Sequence, residues 1–257
     1  MIKELNHIGV RAADIDNALR FYVDVLDGTI IRNGGSADGK SRFIYVQLCD
    51  GVIELLGSKP GETNFGLQHV AFLVDCDLQA AYQTILAQGL VFTVPPRPAA
   101  SGNGVLAFFH EPGGATFELI QREEDIRIPG LRNKYLLDFA FSTISVTGNA
   151  FDRCSDFYRN TMDFVAGNTI KTAGLKTRYF SHGPDTIELV ATSDSTPLAQ
   201  PLTHLTIRVA DCLVMRDHLL AQGIACPMPE ADAADAYQIM KIAGPDGVAI
   251  HFIDQPK

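Results

Sequence analysis

Four side chains in the first half of the 257-residue chain have the types and spacing of a divalent-metal site: His7, Glu54, His69 and Glu118. Two imidazoles and two carboxylates form a borderline donor set that suits Zn²⁺, Ni²⁺, Co²⁺, Mn²⁺ or Fe²⁺, and softness alone excludes none of these ions. Each residue sits in a short apolar run, LNHIGV, VIELL, LQHVAF or ATFELI. Because strand side chains alternate, Val52, Glu54 and Leu56 share one face, as do Leu67, His69 and Ala71, and Thr116, Glu118 and Ile120. An isolated polar group on such a face carries a large desolvation cost, which one shared ion removes for all four together. Taken singly, each residue reads as a hydrogen-bonded core histidine or a rim carboxylate. Recurrence at matching places moves the balance to metal binding.

The second half carries Thr143, Glu188, His204 and His251 at the corresponding places. Glu188, His204 and His251 could form a second metal site, but a structural role after loss of function is the favoured reading. The residues leave open whether His7 and Glu54 group with His69 and Glu118 or, across the halves, with His204 and His251. The first half already holds a complete set, so it is expected to be self-contained. Arg11, Arg42 and Arg97 could anchor a substrate carboxylate or phosphate. Arg42 is favoured among them by its strand position and its echo in Arg178. His110 and His182, beside turns, read as surface residues. Cys49, Cys76, Cys154, Cys212 and Cys226 show no CxxC spacing and read as reduced, mostly buried thiols.

The elements that must position these residues repeat at two levels. NHIGVRAADIDNALRFY is echoed by STISVTGNAFDRCSDFY, SRFIYVQLCDGVIELLG by TRYFSHGPDTIELVA, LQHVAFLVDCDLQAAYQTILAQGL by LTHLTIRVADCLVMRDHLLAQGI, and EPGGATFELIQ by GPDGVAIHFIDQ. The chain therefore divides into domains 1–124 and 136–257, with 125–135 as a linker. Each half is itself doubled. Ile15, Ala18, Leu19, Tyr22 and Leu26 recur at helical spacing behind Asp14, a capping residue. Runs rich in β-branched and aromatic residues follow, with turn chemistry at Asp50-Gly51, Gly113-Gly114 and Asp246-Gly247. The repeating unit is strand, helix, three strands, and the fold class is α+β.

A net charge of −9 without a Lys/Arg cluster argues against nucleic acid and anionic lipid as partners. No run approaches the ~18 apolar residues of a membrane span, and the first residues lack the pattern of a signal peptide, so a cytoplasmic location is expected.

With NHIGV, FYVDVLDG, VIELL, LQHVAFLV and EPGGATFELIQ in this order, the chain resembles the vicinal oxygen chelate superfamily, which includes glyoxalase I, fosfomycin-resistance proteins and extradiol dioxygenases. The resemblance implies two tandem domains of paired βαβββ units, forming curved-sheet cups. It places His7, Glu54, His69 and Glu118 on the four ligand positions of glyoxalase I-like members, with Glu118 as the principal catalytic base and Glu54 as its counterpart. The implied activity is a metal-dependent lyase or isomerase that moves a proton next to a polarised carbonyl of a small molecule. The alternatives are an Fe²⁺ extradiol-type dioxygenase, or a metal-free ligand-binding module. The segment GSKPGETNFG departs from that of glutathione-using members, so glutathione is not implied. A monomer or homodimer is expected.

Overall fold

The computed structural model describes residues 1–35, 42–100, 102–172, 175–192, 198–231 and 238–254. Four strand–helix–strands modules follow one another. The first comprises β1 (Ile2–Ala12), α1 (Ile15–Leu19), β2 (Thr29–Gly35), β3 (Arg42–Leu48) and β4 (Gly51–Gly57). The second comprises β5 (Gly66–Val74), α2 (Leu78–Ala87), β6 (Phe92–Pro98), β7 (Val105–His110) and β8 (Thr116–Gln121). The third holds β9 (Leu136–Thr147), α3 (Phe151–Asn160), β10 (Val165–Thr172), β11 (Leu175–His182) and β12 (Asp185–Thr192). The fourth holds β13 (Leu202–Val209), α4 (Cys212–Ala221), β14 (Glu230–Ala231), β15 (Gln238–Ala243) and β16 (Ala249–Asp254). The fold is α+β, as the repeats require.

Hydrogen bonding joins the strands into two eight-stranded sheets, in the orders β2-β3-β4-β1-β5-β8-β7-β6 and β10-β11-β12-β9-β13-β16-β15-β14. The identical order reflects the sequence duplication. Within each module the strands after the helix pair antiparallel, as in β3 with β4 and β7 with β8. The strand before each helix pairs in parallel with the last strand of its own module, as in β5 with β8 and β13 with β16.

Local chemistry accounts for the element ends. The Asp14 carboxylate accepts from the amides of Asp16 and Asn17 and starts α1. The helical segment then widens to a π-helix over Arg20–Val25, burying Phe21, Tyr22 and Val25. Between β3 and β4 the turn falls on Cys49-Asp50, one residue earlier than the sequence suggests, and Cys49 takes φ +51. Gly51 is instead the first strand residue, where the ring of Phe139 fills the space a Cβ would need. The turn before β8 follows expectation, with Gly114 at φ +98 and the amide of Ala115 donating to the buried Glu111 carboxylate. Burial, largest among its influences, raises the Glu111 carboxyl above the ordinary range.

By close backbone approach the chain groups into two compact units, each drawing on both halves of the sequence. One unit contains Met1–Ile8, Gln68–Asp125 and Ser142–Thr203. Its core is aromatic: Phe117 stacks on Tyr158, and Phe72 meets Phe117 and Phe164 edge to face. The other contains Gly9–Leu67, Ile126–Phe141 and His204–Lys257. There the Asn133 amide donates to the carbonyls of Leu26 and Asp27, and His218 reaches the Val25 carbonyl at 2.8 Å.

Candidate metal centre

His7 lies on β1, Glu54 at the middle of β4, His69 on β5 and Glu118 on β8. These are four neighbouring strands, β4-β1-β5-β8. All four side chains are buried, at 0, 9, 4 and 4% exposure respectively. One ligand atom from each lies within 4.8 Å of all the others. Among the described residues this is the one group of three or more His, Cys, Asp and Glu side chains so arranged.

Three of the donors form a nearly equilateral triangle. The Nε2 atoms of His7 and His69 are 3.2 Å apart, and Oε2 of Glu118 lies 3.3 Å from the first and 3.2 Å from the second. Adjacent donors around an ion with bonds of about 2.1 Å are separated by roughly 3.0 to 3.4 Å, for octahedral and tetrahedral angles respectively. The donors therefore fit a divalent ion without rearrangement of the strands. Edge-on rings make this convergence feasible: the two imidazoles lie at 79° with centroids 5.3 Å apart, so their in-plane lone pairs can meet.

The tautomer of His7 is set from behind. Its Nδ1 faces the Asn6 side-chain oxygen at 3.0 Å, and Nη2 of Arg122 donates to that same oxygen at 2.8 Å. An oxygen that already accepts from a guanidinium can only accept from the imidazole as well. The proton therefore sits on Nδ1, and Nε2 presents its lone pair to the centre. His69 is packed edge to face against Phe108, which is opposite Glu118 in the β7–β8 register. Burial opposes ionisation of Glu118, but the neighbouring imidazoles of His69 and His7 more than offset this and hold its carboxyl below the ordinary range.

The other sequence candidates are placed differently. Thr143 on β9 donates to Oε2 of Glu188 on β12 at 2.7 Å. His204 on β13 and His251 on β16 stack with centroids 3.8 Å apart and planes 31° from parallel. Desolvation, reinforced by His251 and Lys241, pushes His204 down to about 3. Desolvation and Lys241 push His251 down to about 4. Arg42 is exposed and paired with Asp16 at 3.2 Å. In the β3–β4 register Tyr45 opposes Glu54 and Phe43 opposes Leu56, which leaves Arg42 on the other face of β3 from Glu54. Arg11 is likewise engaged, with the Gly57 carbonyl and Glu62.

Sequence reasoning missed Asn6, Arg122 and Phe108. Asn6 precedes a ligand on a strand and by alternation belongs to the opposite face, so spacing gives no signal for its contact with the imidazole edge.

The model of the Glyoxalase/Bleomycin resistance protein/Dioxygenase superfamily matches residues 4–119 and again 140–252. The chain belongs to this superfamily, as a tandem member of the vicinal oxygen chelate fold. Over 125 residues it is 30% identical to a probable lactoylglutathione lyase of Vibrio cholerae, a match covering 46% of this chain and 90% of that protein. Over 127 residues it is 28% identical to lactoylglutathione lyase of Haemophilus influenzae, covering 47% of this chain and 93% of that one. Among solved structures it is similar to a mutant 4-hydroxymandelate synthase from Streptomyces coelicolor, with TM-score 0.75, 13% identity and coverage of 98% and 92% of the two chains. It also resembles the 2,3-dioxygenase LapB from Pseudomonas sp. KL28, with TM-score 0.71, 14% identity and coverage of 100% and 93%. At these identities the solved structures share the fold. No helix among the described residues is long and apolar enough to cross a membrane.

Proposed function

We propose that the chain is a metal-dependent lyase or isomerase of the glyoxalase I type, acting by proton transfer beside a metal-polarised carbonyl of a small molecule. The observation that carries this reading is the convergence of four buried donors, His7, Glu54, His69 and Glu118, within 4.8 Å. A divalent ion held there supplies Lewis acidity to a substrate oxygen. His7, Glu54, His69 and Glu118 would hold the ion, and a fourth protein donor would leave less room for dioxygen beside a substrate, which supports redox-neutral chemistry. The relatives named lactoylglutathione lyase support the same class.

The residues divide the work. His7, locked in one tautomer by Asn6, and His69, wedged against Phe108, hold fixed lone pairs. Glu118 takes the α-proton and Glu54 assists or acts from the opposite face, while the surrounding apolar strands exclude water. A divalent ion held at this centre would favour Glu118 as the carboxylate, the form that accepts a proton.

The test is solvent deuterium incorporation at the α-carbon of α-hydroxy and α-keto compounds, including hemithioacetals and acyl-thioesters, by metal-loaded protein. Exchange is expected. A second reading, an Fe²⁺ dioxygenase, is favoured by one observation: the His7–His69–Glu118 triangle is by itself a two-His, one-carboxylate set. Oxygen consumption stoichiometric with product, without exchange, would select it.

A further inference from the structure

The segment that joins the two halves of the sequence does more than connect them. Glu123, Glu124 and Asp125 are exposed, as are Ile128, Pro129 and Gly130, but Ile126 and Arg127 between them are half-buried. Ile126 packs against the cluster of Phe43, Tyr45 and Val52, together with Ile31 and Leu56. The β3–β4 register pairs Phe43 with Leu56, Tyr45 with Glu54 and Gln47 with Val52. Directly opposed residues of an antiparallel pair share a face, so this cluster is the wall around Glu54. Val52 and Leu56 flank Glu54 along its strand and Tyr45 lies across from it.

The segment is also pinned to that wall. The buried Gln47 side chain donates to the Ile128 carbonyl at 3.0 Å and accepts from the Ile128 amide at 2.8 Å, so it pairs with one residue of the segment as a neighbouring strand would. Its amide nitrogen also reaches the Cys49 carbonyl at 2.8 Å, which fixes the side chain against its own hairpin. A glutamine on a strand face beside a metal-type carboxylate invites a substrate-binding role. Here its hydrogen-bonding groups are spent on the strap.

We propose that residues 126–128 form a strap whose Ile126 side chain sets the size and polarity of the space beside Glu54, and so selects substrates with a short uncharged alkyl or aryl substituent on the chelating carbonyl group. This rests on the metal-dependent reading above and names its substrate class. The wall that Ile126 completes is apolar apart from the Tyr45 hydroxyl, Glu54 itself and Gln47, whose polar atoms are bonded to Ile128 and Cys49, while Arg42 is on the opposite face of its strand. A long polar arm has to displace the strap and break both Gln47 bonds to Ile128. A compact apolar group does not.

The test uses the full chain loaded with Ni²⁺ and titrated calorimetrically with two chelators, acetohydroxamate and benzohydroxamate, which differ only in the substituent. Ile126→Ala should tighten benzohydroxamate relative to acetohydroxamate by roughly tenfold, the low end of what one methylene is worth in an apolar pocket. Ile126→Phe should shift the ratio the other way, and Ni²⁺ affinity should stay at the wild-type value in both. A ratio unchanged in both variants overturns the proposal. If wild-type protein holds no Ni²⁺, the metal-dependent reading fails by itself, and the strap is judged in the metal-free protein by amide hydrogen exchange. Gln47→Met should then release the Ile128 amide from protection, and an unchanged exchange rate overturns the strap as well.

Discussion

The two halves of the chain place different side chains at equivalent points of equivalent sheets. In the first, the imidazoles of His7 and His69 meet edge-on at 79° and their Nε2 atoms come to 3.2 Å of each other. In the second, His204 and His251 lie nearly face to face at 31°. In-plane lone pairs converge in the first arrangement and run almost side by side in the second. The carboxylates differ in the same sense. Glu54 joins the group of four donors, whereas its counterpart Glu188 accepts a hydrogen bond from the Thr143 hydroxyl, which stands where the first half has His7. Duplication has kept two of the four donor types, Glu188 for Glu54 and His204 for His69, with Thr143 and His251 in place of His7 and Glu118. Ring orientation and the partner of each carboxylate decide whether the donors meet.

The largest effect expected from this comparison is loss of the ion itself. His69→Ala removes a strand-anchored nitrogen from the triangle, and elemental analysis should find tight metal binding abolished. His251→Ala should leave metal content at the wild-type value. Equal metal content in wild type and His69→Ala would break the comparison at its root.

Next in size is the separation of binding from chemistry. Glu118→Gln keeps an oxygen donor but removes the base, so turnover should fall by about 10² to 10⁴ with the metal largely retained. A matching loss of metal would show that the residue serves mainly as a ligand. Glu188→Gln, at the place in the second half that Glu54 holds in the first, should leave turnover unchanged.

A smaller effect is expected behind the ligands. Asn6→Leu removes the oxygen that fixes the proton on His7 Nδ1 and strands the Arg122 guanidinium. Metal affinity should drop by about 10- to 100-fold, the usual cost of losing a partner of a metal-bound histidine. Asn6→Asp retains an acceptor and should restore most of it. Failure of the aspartate variant to recover affinity would assign Asn6 a packing role instead.

How much of this was legible in the sequence depends on the range of the interaction. The four ligands were readable because local alternation and a repeat acted together, and the two sheets follow from the same repeat. Strand parity also bears on Arg42: odd-numbered residues of β3 share the Glu54 face whether the turn is set at Cys49-Asp50 or at Asp50-Gly51, so an even-numbered residue is directed away. The turn itself was displaced by one residue because Gly51 looks like a turn glycine. Its lack of a side chain instead accommodates Phe139, a contact between distant segments that no local pattern encodes. The Asn6–Arg122 bond and the seating of Ile126 beside Val52 are of the same kind, set by how elements pack after they form.

The smallest expected effect concerns acid stability and tests the second half directly. Burial holds the folded-state values of His204 and His251 at about 3 and about 4, below the ordinary 6.5. Between those limits the unfolded chain binds more protons than the folded one, so stability falls as the pH is lowered from about 6.5 through about 4 and about 3. Above pH 6.5 both rings are neutral in either state and the contribution is constant. Replacing His251 with Phe keeps an aromatic ring against His204 and removes one proton-binding site as well as its repulsion. The melting temperature of this variant should therefore decline less steeply than wild type between pH 6.5 and 4, with the two curves parallel at higher pH. A metal ion on these rings would produce a different signature: chelator at neutral pH would destabilise the wild type more than the His251→Phe protein. Chelator should instead destabilise both proteins equally, because the ion it removes is expected in the other half. A larger chelator response in the wild type would restore the second site and undo the contrast between the halves.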